Sequence, residues 1–227
     1  MNILAIDTSN YILGVAVIKN HEVVGEWVTN VKKNHSVRLM PAIDQMMRET
    51  ETSPEELDQI AVAHGPGSFT GVRIGMATAK SMAFALDIPV VGISSLEVLA
   101  RQGTFFDGLI CPFFDARRGR VYTGLYDGDM NVVIEERNID MEEWLEQVKE
   151  MQQPILFVSQ DLASFRETIE GIMGEYAVFP SAAHQYARPS YLALSAMKTP
   201  ASSTHALMPN YLRLPEAEQK WLKKQEK

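Results

Sequence analysis

Residues 64–75 read HGPGSFTGVRIG and join a buried-strand pattern, DQIAVAHG, to a helical pattern, SFTGVRIGMATAKSMAFAL. Ser68 or Thr70 can cap the helix, and the free N–H groups of its first turn can bind an anion. The loop lacks the Gly-Lys-Ser/Thr of a Walker loop, and it does not follow the first strand as a dinucleotide fingerprint would. The stretch predicts a loop that cradles a phosphate, anchors a turn or brings two surfaces into close contact.

The helix after this loop carries small residues at every fourth position, namely Gly71, Gly75, Ala79 and Ala83. This spacing places them on one flat stripe. Glycine in a helix interior costs about 1 kcal/mol relative to alanine, so the two glycines indicate that another backbone comes close. That backbone belongs either to a partner protein or to the sheet of the same lobe, and the spacing does not distinguish the two.

The preceding helical pattern, SVRLMPAIDQMMRE, is apolar on two faces. Its apolar residues fall into two sets, Leu39, Ile43 and Met46 on one face and Val37, Met40 and Met47 on the other. A helix of this kind often buries one face in the core and presents the other to a partner. Methionine suits such adaptable contacts. The pattern therefore predicts a docking face on this helix.

Near the start of the chain, AIDTSNYILGVAV predicts two strands joined by a tight turn at Asp7, Thr8 and Ser9. Hydroxyl and backbone donors in such a turn can bind phosphate, and the aspartate can hold a metal-bound water. The same side chains can instead bond their own backbone in an ordinary hairpin. Together with Gly65 and Gly67, these three residues are the candidates for nucleotide binding.

Strand and helix patterns occur twice in one order along the chain: three strands, a helix, a strand, a helix and a strand. The first set lies within residues 1–102 and the second within 103–212, which predicts two related lobes. The charged residues 213–227 predict a terminal helix that joins the first lobe, with Trp221 and Leu222 as its docking residues.

The composition is that of a soluble globular protein, with 227 residues and a net charge of −8. This charge argues against a broad, non-specific grip on nucleic acid. A local patch at Arg117, Arg118 and Arg120 is either a solvated hairpin turn or a contact to nucleic acid or a partner. The apolar runs are too short to span a membrane and no export signal is visible, so we expect a cytoplasmic protein.

The sequence contains few groups of residues at the spacings typical of catalytic or metal-binding sites. Cys111 is the only cysteine, which excludes an intrachain disulfide and a thiolate-rich zinc site. His35 is followed four residues later by Leu39, where a helical metal pair would need a second histidine. Ser68 has no G-x-S-x-G context. We expect no catalytic residue and no metal site, and His35 is either structural or a single contact to a partner.

Six segments together resemble the bacterial TsaB (YeaZ) family over residues 2–216: AIDTS…GVAV, HSVRLMP, GPGSFTGVRIG, AKSMAFALDIPVVGISSLEVLA, DARRGRVY and PNYLRLPEAE. Members of that family are non-catalytic subunits in the biosynthesis of the tRNA modification N6-threonylcarbamoyladenosine. The resemblance implies an α/β, two-lobed actin-like or Hsp70-like ATPase fold (ASKHA, ribonuclease H-like), each lobe a mixed sheet with helices. This expectation agrees with the repeated order of elements.

The resemblance also implies partners. TsaB pairs with TsaD, its catalytic paralogue, and with the ATPase TsaE, and it is expected to form a homodimer when alone. TsaC supplies threonylcarbamoyl-adenylate, and TsaD transfers the carbamoyl group to the adenosine 3′ of the anticodon in tRNAs that read ANN codons. Transfer RNA would reach this chain only through the complex. No cofactor is required, although weak or vestigial nucleotide binding would be unsurprising in this fold.

One departure from TsaD implies that this chain is not catalytic. TsaD carries a metal-binding H-x-x-x-H, whereas the matching stretch here, GISSLEVLA, has Ser95 and Leu99 at the histidine positions. A hydroxyl and an alkyl chain cannot replace two imidazole ligands.

The residues predicted to contact TsaD or a second copy come from the two helices, and they are His35, Val37, Met40, Met47, Gly71, Gly75, Ala79 and Ala83. The main rival hypothesis is an active actin-like ATPase or small-molecule kinase that binds nucleotide at the turn containing Asp7. Two further rivals are a metalloprotease, against which the missing ligands argue, and a self-association module unrelated to tRNA.

Overall fold

The computed structural model describes residues 1–31, 33–201 and 204–212. In the first lobe the elements are β1 (Asn2–Asp7), β2 (Ile12–Lys19), β3 (Glu22–Asn30), α1 (His35–Glu49), β4 (Gln59–Ala63), α2 (Phe69–Leu86) and β5 (Val90–Ile93). A short helix, α3 (Ser95–Ala100), leads to the second lobe. There the elements are β6 (Leu109–Asp115), β7 (Arg120–Tyr126), β8 (Val132–Asp140), α4 (Met141–Lys149), β9 (Ile155–Val158), α5 (Leu162–Met173) and β10 (Ala177–Val178), and α6 (Pro189–Ala196) comes after them.

The two sheets have the same topology. Their strand orders are β3-β2-β1-β4-β5 and β8-β7-β6-β9-β10. In each sheet the first three strands of the lobe pair antiparallel and the last two join in parallel. The predicted duplication is therefore confirmed, because matching strands occupy matching places in the two lobes.

The first two helices start where polar side chains satisfy their free N–H groups. Ser68 caps α2 by accepting a hydrogen bond from Gly71 N, at 3.3 Å. Asn34 caps α1 in the same way, accepting from Ser36 N at 3.0 Å. Such caps each contribute about 1 kcal/mol and fix where the chain turns into the helix. The predicted cap at Ser68 is confirmed.

The helices cover the sheets in layers. α1 and α2 pack together on one face of the first sheet and share one apolar core with it. α3 and α6 cover its other face, where Ile110 and Phe114 of the second sheet join the same core. α4 and α5 cover the remaining face of the second sheet, around the fully buried Trp144. Among the helices of the described residues, none is both long and apolar enough to cross a bilayer.

The second lobe is shorter than the predicted span of residues 103–212, because the chain returns to the first lobe after β10. α6 packs against all five strands of the first sheet. Arg188, just before α6, forms an ion pair with Glu26 of β3, and Ser190 N donates to the same carboxylate at 2.9 Å. Burial opposes the charge of Glu26, but these hydrogen bonds outweigh burial and lower its pKa. The predicted boundary is therefore corrected, and α6 belongs to the first lobe.

Residues 207–212, here called the C-terminal strap, also lie on the first lobe. Leu207 is buried against Gly92, and Asn210 N donates to His64 O at 2.8 Å. The strap covers the ends of β4 and β5, where His64 and Gly92 lie. The predicted helix at residues 213–227, with Trp221 and Leu222, lies outside the described residues.

Candidate functional site

The turn between β1 and β2 is built around the buried side chain of Asp7. One carboxylate oxygen, Oδ1, accepts hydrogen bonds from Ser9 N at 2.8 Å and from Ser9 Oγ at 2.7 Å. Burial raises the pKa of Asp7, while the two bonds from Ser9 and the nearby His35 act in the opposite direction. The turn therefore bonds its own backbone, which is the second of the two predicted alternatives.

The glycine-rich loop packs directly against this turn. Ser68 N donates to Ser9 O at 2.7 Å, and Thr8 Oγ1 donates to Gly71 O at 2.7 Å. A Cβ atom at Gly67 would collide with Ser9 O, and one at Gly71 would collide with Thr8 O. Glycine is required at both positions because backbone meets backbone there. Of the three roles predicted for the loop, close contact between two surfaces is the one that these distances support.

The small-residue stripe of α2 lies inside the first lobe. Gly71 and Gly75 face Thr8, and Ala79 and Ala83 are at most 1% exposed in the core shared by α1, α2 and the sheet. The backbone that the stripe approaches is therefore that of its own lobe. This part of the predicted interface is corrected, since a residue packed on its own sheet cannot contact a partner.

The same correction applies to Met47, but the rest of the predicted face on α1 is exposed. Met47 is only 7% exposed and joins the core, whereas Val37 is 68% and Met40 is 51% exposed. α2 contributes Phe84, which is 72% exposed. Because α1 and α2 lie side by side on one face of the sheet, their outer sides point the same way. We call the outer sides of α1 and α2, which expose Val37 and Met40 near the start of α1 and Phe84 near the end of α2, the docking face.

Phe84 belongs to a side of α2 that was not predicted as an interface. Phe69, Arg73 and Phe84 are all exposed and fall on one side of the helix, opposite the small-residue stripe. The Arg73 guanidinium carbon lies 3.8 Å from the centroid of the Phe69 ring. The sequence carries this signal as two phenylalanines, Phe69 and Phe84, on the side of the helix away from Gly71 and Gly75.

His35 connects α1 to the β1–β2 turn. Its Nε2 lies 2.8 Å from Asn10 O, and the side chain is half-buried. Within the described residues, its Nδ1 has no hydrogen-bond partner. The contact with Asn10 accounts for a structural role, which was one of the two predicted alternatives.

A cleft of about 570 Å³ lies between the two lobes. Its walls are the β1–β2 turn at Asn10 and Tyr11, the β6–β7 turn at Asp115 and Arg117, and the start of α2, with Tyr211 of the strap also lining it. Of the five candidate nucleotide-binding residues, Gly67 lines the cleft. The other four, which are Asp7, Thr8, Ser9 and Gly65, are buried and do not line it.

The three arginines of the second-lobe turn do not form one patch. Arg120 is half-buried and bonds Asn138 through Nε to Oδ1 at 2.7 Å and through a terminal nitrogen to the carbonyl oxygen at 2.6 Å. Arg117 and Arg118 are exposed, and Arg117 lines the cleft. Arg120 therefore holds the hairpin together, and the exposed charge is limited to two residues.

The positions that carry histidines in TsaD are part of the interior here. Ser95 is fully buried, and its hydroxyl accepts a hydrogen bond from Gly65 N at 3.2 Å. Leu99 is 1% exposed and packs in the core between the lobes. Throughout the described residues, no group of three His, Cys, Asp or Glu side chains is placed to hold a metal ion.

Comparison with known proteins identifies the family. The family model described as "TsaD: tRNA N6-adenosine threonylcarbamoyltransferase" matches residues 22–221. The tRNA threonylcarbamoyladenosine biosynthesis protein TsaB of Bacillus subtilis is 48% identical over 228 residues, covering 99% of this chain and 100% of the relative. The TsaB of Escherichia coli is 34% identical over 133 residues, covering 58% of this chain and 57% of that protein.

Solved structures agree with this result. An uncharacterized Pseudomonas aeruginosa protein, described as similar to peptidase YEAZ, has a TM-score of 0.80 at 25% identity and covers 93% of this chain and 99% of its own. A ROK hexokinase of Thermus thermophilus has a TM-score of 0.51 at 11% identity, covering 87% of this chain and 99% of its own, and it supports only the two-lobed ATPase-like fold. The chain belongs to the family that the matching model describes and, within it, to the TsaB (YeaZ) proteins of tRNA threonylcarbamoyladenosine biosynthesis.

Proposed function

We propose that this protein is a non-catalytic scaffold subunit of the machinery that makes N6-threonylcarbamoyladenosine, and that it binds the catalytic subunit TsaD through the docking face. The observation that carries the proposal is the exposure of Val37, Met40 and Phe84 on two adjacent helices. Val37 and Met40 are three residues apart on one side of α1, and contiguous exposed apolar surface marks sites of protein association. A flexible methionine beside them suits a surface with more than one partner.

The same face serves a homodimer when TsaD is absent. A dimer with two-fold symmetry uses one surface patch on both subunits, so a patch that is apolar and adaptable can pair with a second copy. TsaD belongs to the same family and offers a paralogous surface in place of that copy. TsaE joins the resulting complex, and tRNA contacts this chain only indirectly, as expected for a protein with a net charge of −8.

The non-catalytic part of the proposal rests on Ser95 and Leu99. Neither side chain is a metal ligand, and both are buried among protein atoms. A metal that would orient the threonylcarbamoyl carbonyl therefore has no histidine pair on this chain, and the transfer chemistry belongs to TsaD.

Light scattering coupled to size exclusion tests the docking face. We expect the wild-type protein to be a dimer that exchanges into a one-to-one complex when TsaD of the same organism is added. Val37→Glu and Phe84→Glu should each give a monomer and weaken TsaD binding at least about tenfold, which is 1.4 kcal/mol, because a charge would be buried without a partner.

The matched control is Val133→Glu on β8. Val133 is also exposed, at 42%, but it lies in the second lobe, away from α1 and α2. This variant should behave as the wild type in both measurements. Unchanged dimerisation and TsaD binding in both Val37→Glu and Phe84→Glu would refute the docking face.

The rival function, an active ATPase or small-molecule kinase, draws support from the cleft, which has walls from both lobes. It is less favoured because Asp7 lies behind the cleft wall with its Oδ1 engaged by Ser9. Steady ATP hydrolysis by the pure protein that Asp7→Asn abolishes would establish the rival. Hydrolysis at the same rate in both proteins would indicate a contaminating enzyme.

A further inference from the structure

A half-buried carboxylate connects three separate parts of the chain at the junction of the two lobes. Glu136 lies on β8 of the second lobe. Its Oε1 accepts hydrogen bonds from Ser94 Oγ and from Tyr126 OH, the latter at 2.7 Å. Its Oε2 accepts from Asn210 Nδ2 at 3.3 Å. The three donors belong to the cap of α3, to β7 and to the C-terminal strap.

The strap itself is fastened to the first lobe at several points. Lys80 Nζ donates to Leu207 O at 3.1 Å. Tyr211 accepts a hydrogen bond from Arg73 Nε at 2.8 Å and stacks on Phe69 with ring centroids 5.3 Å apart. Because these anchors lie on α2, the strap moves with the first lobe. Its hydrogen bond from Asn210 to Glu136 therefore runs from one lobe to the other.

The close fit of the strap depends on glycine. Gly65 has φ +106°, and a Cβ atom there would lie 2.8 Å from Asn210 O. The strap thus approaches the backbone of the β4–α2 loop so closely that no side chain fits at Gly65. This contact fixes the position of Asn210 relative to the first lobe.

The remaining packing between the lobes is apolar, around α3, α6, Ile110 and Phe114. Apolar packing is non-directional, so it holds the lobes together without defining one angle between them. Hydrogen bonds to a half-buried carboxylate, in contrast, are directional, and those to a charged group are worth more than neutral ones. Burial raises the pKa of Glu136, whereas the bonds from Ser94 and Tyr126 act in the opposite direction.

We infer that Glu136 and Asn210 form a clasp that sets the angle between the two lobes and with it the width of the cleft. The clasp places the β6–β7 turn at a fixed distance from the β1–β2 turn, because each turn belongs to one of the lobes that the clasp joins. This inference concerns the protein alone and does not depend on the proposed function.

Distances between spin labels on the two lobes test the clasp. Glu55→Cys in the first lobe and Glu167→Cys in the second are exposed sites away from the docking face, and the buried Cys111 stays unlabelled. Labelled full-length protein is diluted with an excess of unlabelled protein, so that a dimer contributes one labelled copy. We expect one narrow distance distribution for the wild type.

Asn210→Asp keeps the side-chain shape but places a carboxylate against Glu136. The distribution should become roughly twice as wide or gain a longer-distance population, as a hinge or shear motion between lobes would produce. Adding Glu136→Gln to that variant places an amide against the new carboxylate and should restore the narrow distribution. Glu135→Gln, which removes an exposed charge from the same strand, should change nothing.

Two results would overturn the clasp. One is a distance distribution for Asn210→Asp that matches the wild type, measured on protein that circular dichroism shows to be folded. The other is a broad distribution that persists in the double variant although both proteins are folded, because a clasp made by this pair must recover when donor and acceptor are exchanged.

Discussion

The β1–β2 turn and the β6–β7 turn occupy equivalent places in the two lobes and start with the same local bond. Asp7 Oδ1 accepts from the backbone N–H two residues later at 2.8 Å, and Asp115 Oδ1 does so at 2.7 Å. Yet Asp7 is 3% exposed, whereas Asp115 is exposed at the cleft. The difference arises after the adjacent parallel strand of the first lobe, where a glycine-rich loop allows α2 to close over the first turn.

The two helices that come after these parallel strands extend the comparison. In α2, a Cβ atom at Gly71 would collide with the backbone of the β1–β2 turn. In α5, a Cβ atom at Gly171 would meet nothing within 4 Å. One glycine is thus required by packing and the other is not, although both lie in helices at equivalent places in the two lobes.

The largest effect is expected from Gly71→Ala. The added methyl group collides with Thr8 O, a backbone atom of the β1–β2 turn. Because the turn is held by two strands, neither the turn nor α2 can shift without loss of stability. We expect a loss of about 3 kcal/mol or more in the free energy of unfolding, at the upper end for overpacking. Urea denaturation measures it. A loss below about 1 kcal/mol would mean that the turn yields, and that α2 does not hold it closed.

A smaller loss is expected from Thr8→Val, which keeps the shape but removes the buried hydroxyl that donates to Gly71 O at 2.7 Å. The expected cost is about 1 kcal/mol, the usual contribution of one intramolecular hydrogen bond. Thr70→Val, at an exposed position in the first turn of α2, is the matched control and should be near neutral. Equal costs for the two variants would show that the loss comes from replacing any hydroxyl by a methyl group and not from the bond to Gly71.

Asp7→Asn should stabilise the protein by about 1 kcal/mol at pH 7, because the amide oxygen keeps both bonds from Ser9 and the buried charge is gone. Burial raises the pKa of Asp7 above its ordinary value of 3.8. The folded state therefore holds its proton to higher pH than the unfolded state, and stability is lost as the pH rises through the folded pKa.

The gain from Asp7→Asn should accordingly shrink as the pH falls toward 3.8, the ordinary pKa of an aspartate. Thermal unfolding between neutral pH and this region measures the trend. Asp115→Asn, the equivalent change at an exposed carboxylate, is the matched control. A constant gain for Asp7→Asn at every pH would show that the charge of Asp7 is not what burial penalises.

The smallest effect is expected from Gly171→Ala. With open space around the new methyl group, the substitution only improves helix propensity and should stabilise the protein by about 0.5–1 kcal/mol. The midpoint of urea unfolding measures this gain. Destabilisation would mean that α5 also uses its glycine for packing, and the contrast between the two helices would disappear.

Several features could be predicted from the sequence because they depend on neighbouring residues. The strand and helix patterns repeat in both halves, since hydrophobic periodicity is a local property of each element. Ser68 caps α2 because a hydroxyl at that place satisfies N–H groups within the same turn. The exposure of Val37 and Met40 was also predictable, because α1 carries more apolar residues than its buried face can hold.

Other features were decided by the tertiary structure. The spacing of four small residues places them on one side of α2, namely Gly71, Gly75, Ala79 and Ala83. Periodicity does not indicate which part of the protein packs against that side. The burial of Asp7 depends on the same packing of α2 against the β1–β2 turn.

The return of α6 to the first lobe and the bond from Asn210 to Glu136 depend on the path of the chain. The latter joins residues 74 positions apart. The sequence alone determined the elements and the family of this protein, whereas the faces those elements present and the contact between the lobes arose only when distant segments packed together.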